Sequence, residues 1–269
     1  ETAMQIKPTG GALGADVSGV DLREPLSADS QSRLREAFAE HALLRIRSQQ
    51  LSRDDLTRFS CCFGEPVEHP TNRRDRDPLN PLITIISNIE ENGRAIGALG
   101  NAELKFHADL VFLHTPGSVS ILYCVECPPT GGDTYWSNNY LAHDALDAAT
   151  RERIANLKVR YVHRNPAYNP TTPPAHPLIC THPDTRRKML FVSPSSANGI
   201  EGMNDEEGKS LLNQLLEHAT QDKLVWRHQW RVGDVMVWDN RATLHRRDAF
   251  DPAERRLMWR TQMLGPLTV

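Results

Sequence analysis

Three groups of residues in this chain have types and spacing suited to chemistry. The first is His107-Ala108-Asp109. In a strand, residues i and i+2 point to the same face, so an imidazole and a carboxylate at this spacing can bind one ion together. Alone, the triplet reads more readily as a histidine satisfied by a neighbouring carboxylate. The second is the run Trp238-Asp239-Asn240-Arg241-Ala242-Thr243-Leu244-His245, expected to be a strand entering a polar turn that presents another histidine. Two histidines and one carboxylate on one face of a metal make the facial triad of non-haem iron(II) oxygenases, with the opposite positions left open. The third is Arg255-Arg256-Leu257-Met258-Trp259-Arg260, where strand alternation puts Arg256 and Arg260 on one face. An arginine aimed into a protein interior is costly unless its charge is paired, and a bound carboxylate would pair it in the bidentate geometry that arginine favours. The competing reading is a pair of surface arginines on an edge strand.

Most of the eleven histidines fall outside this pattern. His41, His143 and His218 lie in helical segments, and His182, between Thr181 and Pro183, reads as a turn residue. Five cysteines in so long a chain argue against a disulfide framework. Cys124 and Cys127 form a CxxC, but they sit in or beside the apolar run Val119–Val125 with no second pair after them, so they read as core thiols.

The elements that must position these groups come from periodicity. With 269 residues the chain can bury a sizeable core, and it is expected to form one domain over residues 1–269, since no repeat or Gly/Ser-rich linker divides it. Helices are expected after Ser27, after Ser52 until Gly64, after Ser137, and from Asn204, with Leu211, Leu212, Leu215 and Leu216 buried on the last. Short β-rich runs fill the remainder: Leu43–Ile46, Leu82–Ile86, Val119–Val125, Met189–Val192, Leu224–Trp230, Val235–Trp238 and Leu257–Met263. Many short strands without regular strand–helix alternation point to an α+β, mainly β fold: a sandwich or jelly roll decorated by helices, with a concave space between its sheets. Residues 164–177, rich in Asn-Pro, Pro-Pro and His-Pro steps, read as an irregular segment, either a surface crossover or a lid.

Net charge and hydropathy exclude some partners. The formal net charge of −3 provides no positive field for a nucleic-acid backbone, and no apolar run approaches the roughly 18 residues that a bilayer span needs. A cytoplasmic location is expected, with no membrane partner. Glu1-Thr2-Ala3 ahead of Met4 reads as a remnant of cloning or processing.

Taken in order, these motifs resemble the TauD/TfdA family of iron(II)- and 2-oxoglutarate-dependent dioxygenases. The resemblance runs nearly end to end through Gly11–Leu22, Phe63-Gly64-Glu65-Pro66, His107-Ala108-Asp109, Pro129-Thr130-Gly131-Gly132-Asp133-Thr134, Gly233-Asp234, Trp238–Arg241 with His245, then Arg256 and Arg260. It implies a double-stranded β-helix core of the cupin type, with His107, Asp109 and His245 as catalytic iron ligands. It also implies Fe(II) as cofactor, and 2-oxoglutarate and dioxygen as cosubstrates. Arg256 and Thr134 would hold the distal carboxylate of 2-oxoglutarate, and Arg260 would face an anionic group of the substrate. His69, Asn72, Phe106 and Leu110 fall at or beside substrate-contacting positions; Asn72 and Phe106 replace a family tyrosine and tryptophan, and Glu103 stands where taurine dioxygenase uses an asparagine. The closing third is similar to the phenoxyacetate branch, which favours a small organic carboxylate over a sulfonate or sulfate ester. The implied reaction oxidises a substrate C–H bond with release of succinate and carbon dioxide, ending in hydroxylation, cleavage, desaturation or rearrangement. Members are often homo-oligomers. Outside this family, a zinc hydrolase would use the same triad but leave Arg256 and Thr134 unexplained, and a non-catalytic anion-binding jelly roll would leave the triad unexplained.

Overall fold

The structure, a computed structural model, describes residues 3–71 and 73–268. Its helices begin where side chains satisfy orphan N–H groups. Ser27 caps α1 (Ala28–His41) by accepting from the Ser30 N–H, and α1 ends on Ala42 in the left-handed conformation at φ +60°. Helix α2 (Arg53–Ser60) opens with a reciprocal box, Ser52 Oγ accepting from Asp55 N–H and Asp55 Oδ2 from Ser52 N–H. Helix α3 (Asn139–Asp144) starts one residue later than expected. Ser137 stays in a strand, while Asn138 Oδ1 takes the N–H groups of Tyr140 and Leu141 at 3.0 and 3.2 Å. A short helix α4 (Ala148–Ile154), capped by Asp147, was not expected. Asn204 caps α5 (Asp205–Ala219), which buries Leu211 and Leu215 and leaves Leu212 and Leu216 only partly covered.

Two sheets carry the chemistry. The larger runs, in spatial order, Gln5–Pro8, Ala15–Ser18, Leu43–Ile46, Val235–Asp239, Gly117–Glu126, Leu257–Leu264, Asn80–Ser87 and Arg76–Asp77, with Ala98–Leu99 attached beside Asn80–Ser87. The smaller runs Val225–His228, Thr134–Asn138, Thr243–Arg247 and Leu104–His107. They meet through Trp136 of the smaller sheet and Trp238 of the larger, whose rings pack edge to face at 5.5 Å within a cluster that includes Leu43, Leu122, Met236 and Met258. Strand Leu257–Leu264 lies between two others, so Arg260 is on an interior strand and not at an edge.

The expected strands all appear, Leu43–Ile46 with the expected bounds and the others with ends shifted by a few residues. The polar ones were missed: Leu104–His107, Thr134–Asn138 and Thr243–Arg247 carry the site's own side chains and lack an apolar run. Segment 164–177 is not irregular throughout, because Ala175–Pro177 pairs with Lys158–Tyr161 in a third sheet completed by Ala197–Ile200. Among the described residues no helix is long and apolar enough to cross a membrane.

Candidate metal centre and anion cavity

His107 and His245 are direct cross-strand partners in the smaller sheet, with ring centroids 4.2 Å apart. His245 lies in the middle of strand Thr243–Arg247, beyond the turn that was expected to present it. Asp109, unlike the two histidines, is not on a strand. Strand Leu104–His107 stops at His107, Ala108 N–H donates to Ser193 Oγ at 3.1 Å, and Leu110 takes a left-handed φ of +59°. The turn, and not i, i+2 alternation, therefore swings Asp109 back to the histidines. Its Oδ1 sits 3.4 Å from His107 Nε2 and 3.7 Å from His245 Nε2, and one ligand atom from each of the three residues falls within 4.8 Å of the others. Among the described residues this is the only such cluster of three or more histidine, cysteine or acidic side chains.

The tautomer of His107 follows from its neighbour. Lys105 O, 2.7 Å from Nδ1, can only accept, so Nδ1 carries a proton and Nε2 is the nitrogen left facing Asp109, whose carboxylate, against burial, raises the ring and keeps a proton on Nε2 until a metal takes its place. Burial works to raise Asp109, but the His245 charge, the His107 hydrogen bond and Arg260 overcome it and hold the carboxyl well below its ordinary range. Burial, with the charge of His107, pushes His245 down to about 3. The centre is thus a carboxylate with a neutral His245 beside it, a donor set suited to a divalent transition metal.

Next to the triad lies a small cavity lined by His107, His245, Thr134, Arg247, Arg256 and Arg260. Arg256 is 2% exposed, with no acid within ion-pair distance among the described residues and no hydrogen-bond partner for its Nε. Burial and the charge of Arg247 push its guanidinium down to about 9. Thr134, opposite Arg247 in the sheet, accepts the Trp230 Nε1–H at 2.9 Å and so keeps its own hydroxyl proton free to give. The turn before Thr134 needs glycine: Gly131 has φ +82°, and a Cβ there would lie 3.2 Å from Ala249 O.

A wider cavity of about 430 Å³ opens on the other side of the triad. Arg260, His107, Leu99 and Leu104 line both. Arg260 Nη1 lies 3.9 Å from Asp109 Oδ2, and its Nε is buried without a partner among the described residues. His69, Leu110, Phe112 and His163 form further wall, with Arg164 where segment 164–177 begins. Burial, with Arg260 nearby, pushes His69 down to about 3.

One of the expected residues lines neither cavity. Phe106 precedes His107 on the strand, so alternation turns it to the opposite face, where it lines a surface hollow with Tyr135 and Arg246. Asn72 lies outside the described residues. Cys124 is buried on strand Gly117–Glu126, and the Cys127 thiol reaches Trp230 O at 3.7 Å. Sequence reasoning missed Arg247, Ser120, Asn240 and Gln262. Arg247 left a signal, two residues beyond His245 on the same strand face, and Asn240 stands within the Trp238–Arg241 run, though without an assigned role.

The family model of taurine catabolism dioxygenase TauD, TfdA family matches residues 5–262. The chain belongs to this family. It is 33% identical over 278 residues to an alpha-ketoglutarate-dependent 2,4-dichlorophenoxyacetate dioxygenase of Cupriavidus pinatubonensis, covering 96% of each chain. An alkylsulfatase of Acinetobacter baylyi is 29% identical, over 90% of this chain and 79% of that one. Among solved structures, AAD-2 in complex with Mn(II) and N-oxalylglycine superimposes with a TM-score of 0.82 at 30% identity, over 98% of both chains.

Proposed function

We propose that this family member is an iron(II)- and 2-oxoglutarate-dependent dioxygenase that oxidises a C–H bond of a small organic anion, a carboxylate before a sulfonate or sulfate ester. The observation that carries the reading is the pairing of the His107–Asp109–His245 cluster with a buried, acid-free Arg256 in the adjoining cavity. A metal-activated hydrolase needs the first and has no use for the second. Likeness to a relative that holds Mn(II) and N-oxalylglycine, itself a diacid, supports the same pair of ligands here. The two-sheet arrangement supports the double-stranded β-helix, and strands drawn from both ends of the chain into one sheet support a single domain.

Both groups fit the residues present. His107 Nε2, Asp109 Oδ1 and His245 Nε2 would hold ferrous iron, and Arg256 with Thr134 would hold the far carboxylate of 2-oxoglutarate. When bound, the two supply oxygen activation: the 2-oxo acid becomes succinate and carbon dioxide, and the second oxygen atom goes to the substrate. The chain's own part is positional. Lys105 O fixes the His107 tautomer, the Arg256 guanidinium and the Thr134 hydroxyl donate to one carboxylate, and Leu110 and Phe112 give the wider cavity an apolar wall that excludes water. Arg260 would receive the anionic group of the substrate, with His69 and Leu110 beside it. The phenoxyacetate relative supports a carboxylate and the alkylsulfatase keeps a sulfate ester in view. A cytoplasmic setting belongs to the same proposal, since the five free cysteines suit a reducing compartment.

Anaerobic titration of metal-free protein with ferrous iron and 2-oxoglutarate tests this. A weak visible band of a metal-chelated 2-oxo acid is expected in the wild type and is lost in His107→Ala. Bound iron with no such band would overturn the 2-oxoglutarate assignment.

A further inference from the structure

Asp109 is held from behind by a network that the proposed reaction does not by itself require. Ser120 and Gln262 are cross-strand partners on Gly117–Glu126 and Leu257–Leu264, with Trp238 paired to Ser120 from the other side. All converge beneath the carboxylate. Gln262 Nε2 donates to Asp109 Oδ2 at 2.8 Å and to Ser120 Oγ at 3.0 Å. Ser120 Oγ in turn donates to the same Oδ2 at 3.3 Å. Asn240 Oδ1 accepts from Asp109 N–H and from Trp238 Nε1, at 3.3 and 3.2 Å, and its Nδ2 donates to Ser120 Oγ at 2.7 Å. The amide orientations are forced: an indole N–H and a backbone N–H can only donate, and an ionised carboxylate can only accept. The side-chain donors of Gln262, Ser120 and Asn240 then all point to Asp109 Oδ2 or to the serine that supports it, while Asn240 Oδ1 takes the Asp109 and Trp238 N–H groups.

The two oxygens of Asp109 are thereby given different work. Oδ1 faces both imidazoles and takes no other hydrogen bond among the described residues, while Oδ2 receives two neutral donors. We propose that Gln262, with Ser120, is a positioning residue that turns Oδ2 away from the metal and keeps Asp109 a one-oxygen ligand. The inference rests on the metal site proposed above and goes beyond it. A carboxylate is free to chelate through both oxygens. If Asp109 did so, it would take one of the positions that must stay open for a two-point ligand and dioxygen. Arg260 lies farther off, 3.9 Å from the same Oδ2, so the two direct donors to that oxygen are neutral. Gln262 also keeps a buried Oε1 with no partner among the described residues. That unmet acceptor is a cost to folding, so the side chain is better explained by its donor end than by packing.

The test is a cobalt(II) titration of metal-free protein, read by visible d–d absorption, on wild type, Gln262→Met, Ser120→Ala and His107→Ala. Gln262→Met keeps length and volume and removes both donors. Loss of such support behind a metal ligand weakens binding by about 10- to 100-fold. Affinity alone could fall through general loosening, so the deciding readout is the spectrum at saturating metal. It should change in Gln262→Met as a second carboxylate oxygen enters, and change in the same direction but less in Ser120→Ala. A saturated spectrum identical to wild type in a variant that still melts cooperatively would overturn the inference. Ser120→Ala carries the same decision if Gln262→Met does not fold. Equal cobalt binding by wild type and His107→Ala would instead overturn the metal site itself, so the two failures are separable.

Discussion

The two halves of the site are built in opposite ways. Around the triad, the protein supplies partners to two of the three ligands: His107 Nδ1 has Lys105 O, and Asp109 Oδ2 has Gln262 and Ser120, while His245 Nδ1 is buried without a partner among the described residues. A few ångströms on, Arg256 and Arg247 are buried side by side with no acid in reach among the described residues, and both have an Nε without a partner. Desolvation makes the second half expensive. The difference teaches that metal-binding geometry is preset by the fold, whereas the charge of the adjoining cavity is completed by a ligand. Binding of an anion should therefore be coupled to stability in a way that metal-ligand geometry is not.

The largest effects test whether the halves are distinct at all. Removing a preset ligand leaves nothing to replace it, so His107→Ala and Asp109→Ala should reduce oxygen-dependent succinate formation to background, measured with 2-oxoglutarate in excess. Retained turnover in either would dissolve the metal half. Arg256→Met should act differently. Two charge-assisted hydrogen bonds are lost, which raises the 2-oxoglutarate requirement by about 100-fold or more. The ligand-free protein, however, should become more stable by up to about 1 to 4 kcal/mol, as an unpaired buried charge is replaced by an apolar side chain. Thermal melts with and without 2-oxoglutarate check this: at 100 times its dissociation constant the ligand should stabilise wild type by about 2.7 kcal/mol, and the variant scarcely at all under the same conditions. A ligand-free variant less stable than wild type would show that Arg256 is already satisfied.

Arg260 sits between the two halves, lining both cavities and 3.9 Å from Asp109 Oδ2. Its substitution should impair the substrate more than the cosubstrate. Arg260→Gln is expected to lower turnover of the preferred anion by about 30-fold or more, the scale for truncating one partner of a buried charge pair. Decay of 2-oxoglutarate without substrate should change less. Equal losses in both would return Arg260 to the metal half as a partner of Asp109.

How much of this was legible depended on the distance over which each feature is encoded. Caps at Ser27, Ser52 and Asn204 and the apolar strands are written locally, in a few neighbouring residues, and they appear where expected. The triad was legible as residue types but not as geometry. Alternation predicts His107 and Asp109 on one strand face, whereas a left-handed Leu110 and the contact to Ser193 do the work. The same alternation, applied to Phe106, turns it to the face opposite His107, and a resemblance that assigns roles by position does not contain that information. Gln262 was invisible because its meaning is a register, its pairing with Ser120 across two strands, and its partner Asp109 is 153 residues away. Helix α4 carries one buried apolar residue, Ile154, too few for a periodic signal.

The smallest expected effect is the sharpest test of the contrast, because Thr134 belongs to both regimes. Its oxygen is satisfied by the protein, accepting from Trp230 Nε1, while its proton is left for a ligand. Thr134→Val should raise the 2-oxoglutarate requirement by about tenfold, one hydrogen bond to a charged group being lost. It should also destabilise the ligand-free protein by about 1 to 3 kcal/mol, since the buried indole N–H loses its acceptor. Arg256→Met and Thr134→Val would then weaken the same ligand while moving ligand-free stability in opposite directions. Thr134→Ser should restore both quantities, as it returns a hydroxyl to the same place. If Thr134→Ser restored stability but not the 2-oxoglutarate requirement, the hydroxyl would serve Trp230 alone, and the far carboxylate would be held by the guanidinium groups without it.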